Sequence, residues 1–174
     1  TMPCVCPGCG QDLIADPHHW LSCAFLVGAL RIFKHNLIVE VLIHFLSLMV
    51  CAISVEPRIQ RFADQTDILV VFPSGKLWLI DVRVSSPSCK TYLSRAQIQG
   101  AVAKANEVEK TNKHGAQAIA AGAELVPFVL EGYGTMGQAA NSFIDAMAQE
   151  IVDVTRRFST ARMVAAMRPV PYPH

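Results

Sequence analysis

Apolar positions along the chain change their period several times, and each change marks an element. From 21 to 47 they are dense and recur at helical spacing, enough for one long helix or two shorter ones. Ile53-Ser54-Val55-Glu56-Pro57 then reads as extended, because a proline disfavours helix in the residue before it. Two strand-like runs, 66–72 and 77–84, are joined by Pro73-Ser74-Gly75-Lys76, a compact turn signal, and predict a β-hairpin. The stretch 93–113 is rich in Ala, Gln, Lys and Glu and lacks proline, which predicts a helix ending at Gly115. A short strand is expected over 125–130, a flexible glycine-rich loop over 132–137, and a helix from 138 to about 164, with Phe143, Met147 and Ile151 as core positions at helical spacing. The proline-rich tail 168–174 excludes regular structure.

The order helix, hairpin, helix, strand, helix predicts an α/β fold with a mixed sheet flanked by helices. At 174 residues, 52% hydrophobic and 17% charged, the chain is long and apolar enough to bury a core of its own. Residues 1–24 form a separate Cys/Pro/Gly-rich segment, 25–167 the core, and 168–174 an irregular tail. The apolar run 37–55 raises the question of a membrane span, but Glu40 and His44 would be costly at the bilayer centre, so a buried helix running into a strand is expected, with no membrane partner. No signal peptide is expected at an N-terminus that opens with cysteines, and Thr1-Met2-Pro3 is consistent with a cut inside a longer polypeptide. Fifteen basic and fourteen acidic residues leave a net charge of +1, so no global electrostatic footprint for nucleic acid is present.

Of six cysteines, Cys4, Cys6, Cys9 and Cys23 lie within the first 23 residues, and Cys51 and Cys89 lie far apart. Clustered spacing with histidines beside it argues for metal rather than a disulfide framework. Cys6-Pro7-Gly8-Cys9 puts two thiolates on a tight turn, and His18 and Cys23 complete a closed tetrahedral set for Zn²⁺, with His19 the alternative to His18 and Cys4 standing beside Cys6. A closed set leaves no position for substrate, so this zinc would be structural and would fold a segment too short for its own core. The bland alternative is a group of unrelated thiols near a loop.

Asp67 opens one hairpin strand and Asp81 lies inside the other, in Trp78-Leu79-Ile80-Asp81-Val82-Arg83-Val84. An acid in so apolar a strand is costly to bury unless it is paired or binds a cation. Two carboxylates at one end of a sheet can hold Mg²⁺ or Mn²⁺, which activates water and neutralises phosphodiester charge, and a nearby lysine would steady the reacting group. The plainer alternative is that Asp67 caps a turn and Asp81 pairs with Arg83 or another base.

In their order along the chain these residues resemble a known family: the restriction-like, PD-(D/E)xK endonuclease domain that lies C-terminal to the reverse transcriptase of site-specific non-LTR retrotransposons. That family includes the R2 group and the elements that insert in trypanosomatid spliced-leader genes. The resemblance rests on the Cys/Cys/His/Cys knuckle, on Arg31-Ile32-Phe33-Lys34-His35-Asn36, on Glu56-Pro57, on Thr66-Asp67 with Asp81 fourteen positions on, and on Glu109-Lys110-Thr111-Asn112-Lys113-His114. It covers roughly residues 4–137. Thr66 stands where the family has proline and His114 where it has tyrosine. The position two after the second acid, lysine in many such nucleases, is Arg83, which is too basic to take a proton but can contact phosphate.

The resemblance implies Asp67, Asp81, Lys110 and Lys113 as catalytic residues, Lys110 ahead of Lys113. It further implies Asp67, Asp81 and Val82 at the active-site metal, Glu56, Arg83 and His114 as accessories, and Arg31, Lys34 and His35 toward DNA. His35 has two further readings, as a buttress of the active site or as a satisfied core histidine. Glu107 reads as an ordinary surface pair and Arg156 and Arg157 as a solvated face. The implied activity is nicking of double-stranded target DNA in the nucleus to free a 3′-hydroxyl that primes reverse transcription. The implied partners are an upstream reverse transcriptase domain and, through it, element RNA. The rival is a non-catalytic zinc-dependent nucleic-acid-binding or protein-docking module with a nuclease-like fold. A hydrolase of another substrate lacks support, since neither a His-rich catalytic metal motif nor a nucleophile elbow is present.

Overall fold

The structure, a computed structural model, describes all residues except 1–3, 18, 20–22, 50, 57–65, 73, 90 and 167–174, and leaves aside the side chains at 24, 26–31, 154 and 158–166. Within it the elements run α1 (Ala24–Ser47), β1 (Ala52–Val55), β2 (Ile68–Val71), β3 (Leu77–Ser85), α2 (Ala101–Ala120), β4 (Glu124–Glu131) and α3 (Gln138–Ala166). The chain divides into two compact units, 1–141 and 142–174.

In the first unit the strands form one mixed sheet in the order β1-β2-β3-β4, antiparallel from β1 to β3 and parallel between β3 and β4. The hairpin closes where expected: Phe72 N–H bonds the Lys76 carbonyl, Gly75 N–H bonds that of Phe72, and Gly75 takes the left-handed conformation (φ +82°) that glycine adopts without steric cost. A parallel neighbour requires a crossover, and α2 is that crossover between β3 and β4. Strand β3 is the centre of the core: Trp78, Leu79, Ile80, Asp81 and Val82 are all buried, as a central strand covered on both faces demands. The strand expected after the first helix is Ala52–Val55, which pairs with β2 as the fourth strand of the sheet.

Three expectations need correction here. Glu56 is not extended but left-handed (φ +45°), unusual for a residue with a side chain, and its N–H bonds the Asp67 carbonyl at 2.8 Å. Helix α2 begins at 101 rather than 93, after the left-handed Gly100, and runs through Gly115 to Ala120. It ends in a Schellman arrangement, with Ala123 N–H on the Ala118 carbonyl, Gly122 N–H on the Ile119 carbonyl, and Gly122 left-handed (φ +68°). Glu107 is not on the surface. Its buried carboxylate accepts the Ala139 N–H at 2.8 Å, satisfying a donor in the first turn of α3. Glu131, at the end of β4, does the same for Ala103 N–H in the first turn of α2 at 2.9 Å.

Helix α1 is single and apolar on several sides. It buries Val39, Leu42 and Leu46 while Phe33, Leu37, Val41 and Phe45 stay exposed. Among the described residues no helix is long and apolar enough to cross a membrane. The second unit is helical from 142 to Ala166. In it Phe143 and Met147 are buried as expected, whereas Ile151 is 47% exposed, a correction to its place in the core. The tail 168–174 lies outside the described residues.

Candidate metal centre and active site

At the N-terminus the chain folds back on itself through a bridge between Val5 and Asp12, with Cys6 N–H on the Gln11 carbonyl and Gly10 N–H on that of Cys6. This turn presents Cys6 and Cys9 together. Cys23 N–H bonds the His19 carbonyl at 2.8 Å, and His19 and Cys23 reach the same place. The donors of Cys6, Cys9, His19 and Cys23 all lie within 4.8 Å of one another. Cys9 Sγ is 2.9 Å from His19 Nε2, and the Cys23 sulfur is 3.6 Å from that of Cys6 and 3.7 Å from that of Cys9. Thiolates bound at about 2.3 Å to one tetrahedral zinc stand about 3.8 Å apart, so the spacing fits a single ion such as zinc. The imidazole in this cluster is His19; the other candidate, His18, lies outside the described residues. Asp16 Oδ2 stands 3.9 Å from His19 Nδ1, the ring nitrogen other than the one beside Cys9 Sγ. Burial pushes the Cys6 thiol up, but the backbone at Gly8 and Cys9 and the sulfurs of Cys23 and Cys9 outweigh it, leaving Cys6 at about 6 against an ordinary 9.0. At Cys9 the backbone at Gln11 lowers the thiol, yet burial and the Cys23 and Cys6 sulfurs leave it raised.

The second constellation is built on the sheet. Asp67 directly precedes β2, its N–H bonding the Ile80 carbonyl, and Asp81 sits one residue further along β3. The Asp67 carboxylate accepts the Val82 N–H through Oδ2 at 2.6 Å and meets His35 Nε2 of α1 through Oδ1 at 3.1 Å. A strand residue points its N–H and carbonyl toward the same edge, so the Val82 carbonyl also faces the Asp67 side. Asp81, only 4% exposed, takes Lys110 Nζ of α2 on Oδ1 at 2.7 Å, while Oδ2 has no hydrogen-bond partner and lies 3.8 Å from His114 Nε2. Lys110 and His114 face Asp81 together because residues four apart share one face of a helix. Asp81 therefore pairs with Lys110 and not with Arg83, which binds Glu109 Oε1 at 3.0 Å and the Tyr92 hydroxyl at 3.2 Å.

Of the other expected residues, Lys113 is exposed on α2 and Glu56 is exposed at the end of β1. Lys34 is half-buried on α1, beside the His35 that reaches Asp67, and the Arg31 side chain lies outside the described set. His35 thus has the geometry of a buttress. Among the described residues only the N-terminal cluster brings three or more Cys, His, Asp or Glu donors within metal-ligand reach of one another. Asp81 Oδ2 is a buried oxygen with no hydrogen-bond partner, the type of donor that a hard divalent ion takes.

Sequence reasoning passed over Tyr92, Asn106 and Gln117. Asn106 is 1% exposed and fully engaged: its amide donates to Ser85 Oγ and the Val102 carbonyl and accepts the Tyr92 hydroxyl, tying the 86–100 loop to the sheet beside Arg83. An asparagine inside an alanine-rich helix, where its propensity is poor, was the available signal. Tyr92 carried none. Against known proteins, the chain matches no protein-family model and no curated sequence.

Proposed function

We propose that this chain is a divalent-metal-dependent endonuclease domain of the restriction-like, PD-(D/E)xK type that nicks double-stranded DNA, with a structural zinc at its N-terminus. The observation that carries the reading is Asp81: a carboxylate buried in the central strand, held by Lys110 through one oxygen and unpartnered on the other. Burial of a charge at such cost is expected where the charge has work to do.

Asp81 Oδ2, the Asp67 carboxylate and the Val82 carbonyl would hold Mg²⁺ or Mn²⁺. Such an ion supplies a water acidic enough to attack at neutral pH and offsets the charge of the phosphodiester. His35 and the Val82 N–H fix the Asp67 carboxylate from two directions, so its orientation is set before DNA arrives. Lys110 places an ammonium beside Asp81, where it steadies the negative charge that builds on the phosphate as water attacks phosphorus and the bond to the 3′-oxygen breaks. Arg83, pinned by Glu109 and Tyr92, keeps further N–H groups for a phosphate. Lys34 and Arg31 on α1, and Lys113 on α2, are the remaining candidates for DNA contact.

In its biological setting the domain would act in the nucleus beside an upstream reverse transcriptase, the freed 3′-hydroxyl priming synthesis on element RNA. Affinity for DNA would come largely from those neighbours, given the near-neutral charge of this chain. The test is plasmid relaxation. Supercoiled DNA is incubated with the zinc-loaded domain and Mg²⁺ or Mn²⁺, beside Asp81→Ala. Nicking by the parent and not the variant supports the reading; metal-independent nicking, or nicking retained by Asp81→Ala, refutes it. The ion pair with Lys110 favours one rival, a binding module in which Asp81 is merely neutralised. Metal-independent DNA binding with no cleavage would identify that case.

A further inference from the structure

Among the described residues, three buried side-chain atoms lack a hydrogen-bond partner: Asp81 Oδ2, His114 Nδ1 and Gln117 Oε1. They are not scattered. His114 and Gln117 follow Lys110 at steps of four and three along α2, so all three side chains share the helix face whose lysine and imidazole meet Asp81. Buried groups of this kind are uncommon in folded proteins and each calls for an explanation, an ion being one.

We infer that His114 Nε2 is a ligand of the divalent ion held by Asp81, and that this nitrogen selects Mn²⁺ and related first-row ions over Mg²⁺ and Ca²⁺. The inference rests on the metal-dependent reading above. The 3.8 Å between His114 Nε2 and Asp81 Oδ2 is too long for a hydrogen bond, yet two metal–ligand bonds of about 2.1 Å each span it. His114 is 2% exposed, so its ring has no access to water to replace that partner. A metal-bound imidazole also needs an acceptor for its other nitrogen, and Gln117 Oε1, one turn on and equally without a partner, is of the right type. Lys110 occupies the opposite carboxylate oxygen, Oδ1, and leaves Oδ2 to the ion. Magnesium and calcium take oxygen ligands, whereas an imidazole suits transition ions, so the nitrogen sets the preference.

The test reads the ion itself. Zinc is loaded first, so that the N-terminal sulfurs and His19 are filled with a diamagnetic ion, and Mn²⁺ is then titrated and followed by electron paramagnetic resonance. The expected result is one bound Mn²⁺ with nitrogen modulation from a coordinated imidazole, changed in character when the histidines carry ¹⁵N, and lost in His114→Gln with a fall in Mn²⁺ affinity of roughly 10–100-fold. The isotope arm needs no substitution and stands even if His114→Gln fails to fold. Mn²⁺ that binds, depends on Asp81, and shows no nitrogen modulation overturns the role of His114 while leaving the metal-dependent reading intact. No Mn²⁺ bound beyond the zinc site, or binding unaffected by Asp81→Asn, overturns both.

Discussion

Removing either partner of the Lys110–Asp81 pair should not cost the same, and the difference is legible in the structure. The Asp81 side chain is 6% exposed and that of Lys110 is 20% exposed. In Lys110→Met a carboxylate is left in the central strand with no water to turn to, and breaking a buried pair in this way costs about 3–5 kcal/mol. In Asp81→Asn the orphan is an ammonium on a flexible stem that can reach solvent, so the loss is nearer that of one charge-assisted hydrogen bond, about 1.5–3 kcal/mol. For a chain of this size each kcal/mol moves the melting midpoint by about 2–4 °C. Thermal melts of the zinc-loaded proteins without added Mg²⁺ or Mn²⁺ should therefore place Lys110→Met roughly 6–20 °C below the parent and Asp81→Asn roughly 3–12 °C below. Mn²⁺ should then stabilise the parent and not Asp81→Asn, since an ion binding only the folded state raises its stability. Nicking should be lost in both variants. A melting order in which Asp81→Asn falls further than Lys110→Met would refute the assignment of Asp81 as the trapped charge.

His35→Ala should lower the nicking rate about 10–100-fold while shifting the melt by only a few degrees, because His35 is partly exposed and acts by orienting Asp67; unchanged kinetics would exclude it as a positioning residue. Gly137→Ala should destabilise by about 1–2 kcal/mol in urea titration, since the added Cβ would run into the Glu107 carboxylate and break its bond to Ala139; an unchanged midpoint would contradict that packing. Zinc uptake at pH 7 should release fewer than the three protons its three thiols could supply, as read by a pH indicator. Cys6, lowered to about 6, is already mostly thiolate there, and its proton should reappear in the count as the pH falls below that value. Three protons released at pH 7 would contradict this. Cys9→Ser should leave zinc below one equivalent by mass spectrometry of the native protein, and full retention would remove Cys9 from the cluster.

The amino-acid sequence by itself determined the periods and the punctuation. Two strand-like apolar runs on either side of Pro73-Ser74-Gly75-Lys76 specify a hairpin, because the compact turn between them sets the register. The Cys6-x-x-Cys9 turn and the later Cys23 mark a segment whose donors could hold a metal, since close spacing confines them whatever the rest of the chain does. The sequence also marked Asp81 as costly, an acid in an apolar run. What it did not determine depends on contacts between residues far apart in the chain. Whether Arg83, two residues away, or Lys110, twenty-nine away, takes Asp81 follows from α2 crossing the sheet. Which imidazole meets the sulfurs depends on the course of the backbone: among the described residues it is His19, whose carbonyl accepts the Cys23 N–H. Helix propensity placed the start of α2 too early and its end at Gly115, because a glycine bounds a helix only where the chain must turn; here the left-handed Gly100 precedes the first residue and Gly122 follows the last turn. Glu107 looked like a surface residue and became a buried acceptor because the first turn of α3 is brought against it and presents an N–H that α3 cannot satisfy within itself. Local period and composition set the elements; the packing of α2 on the sheet decided which side chains meet, and with them the site.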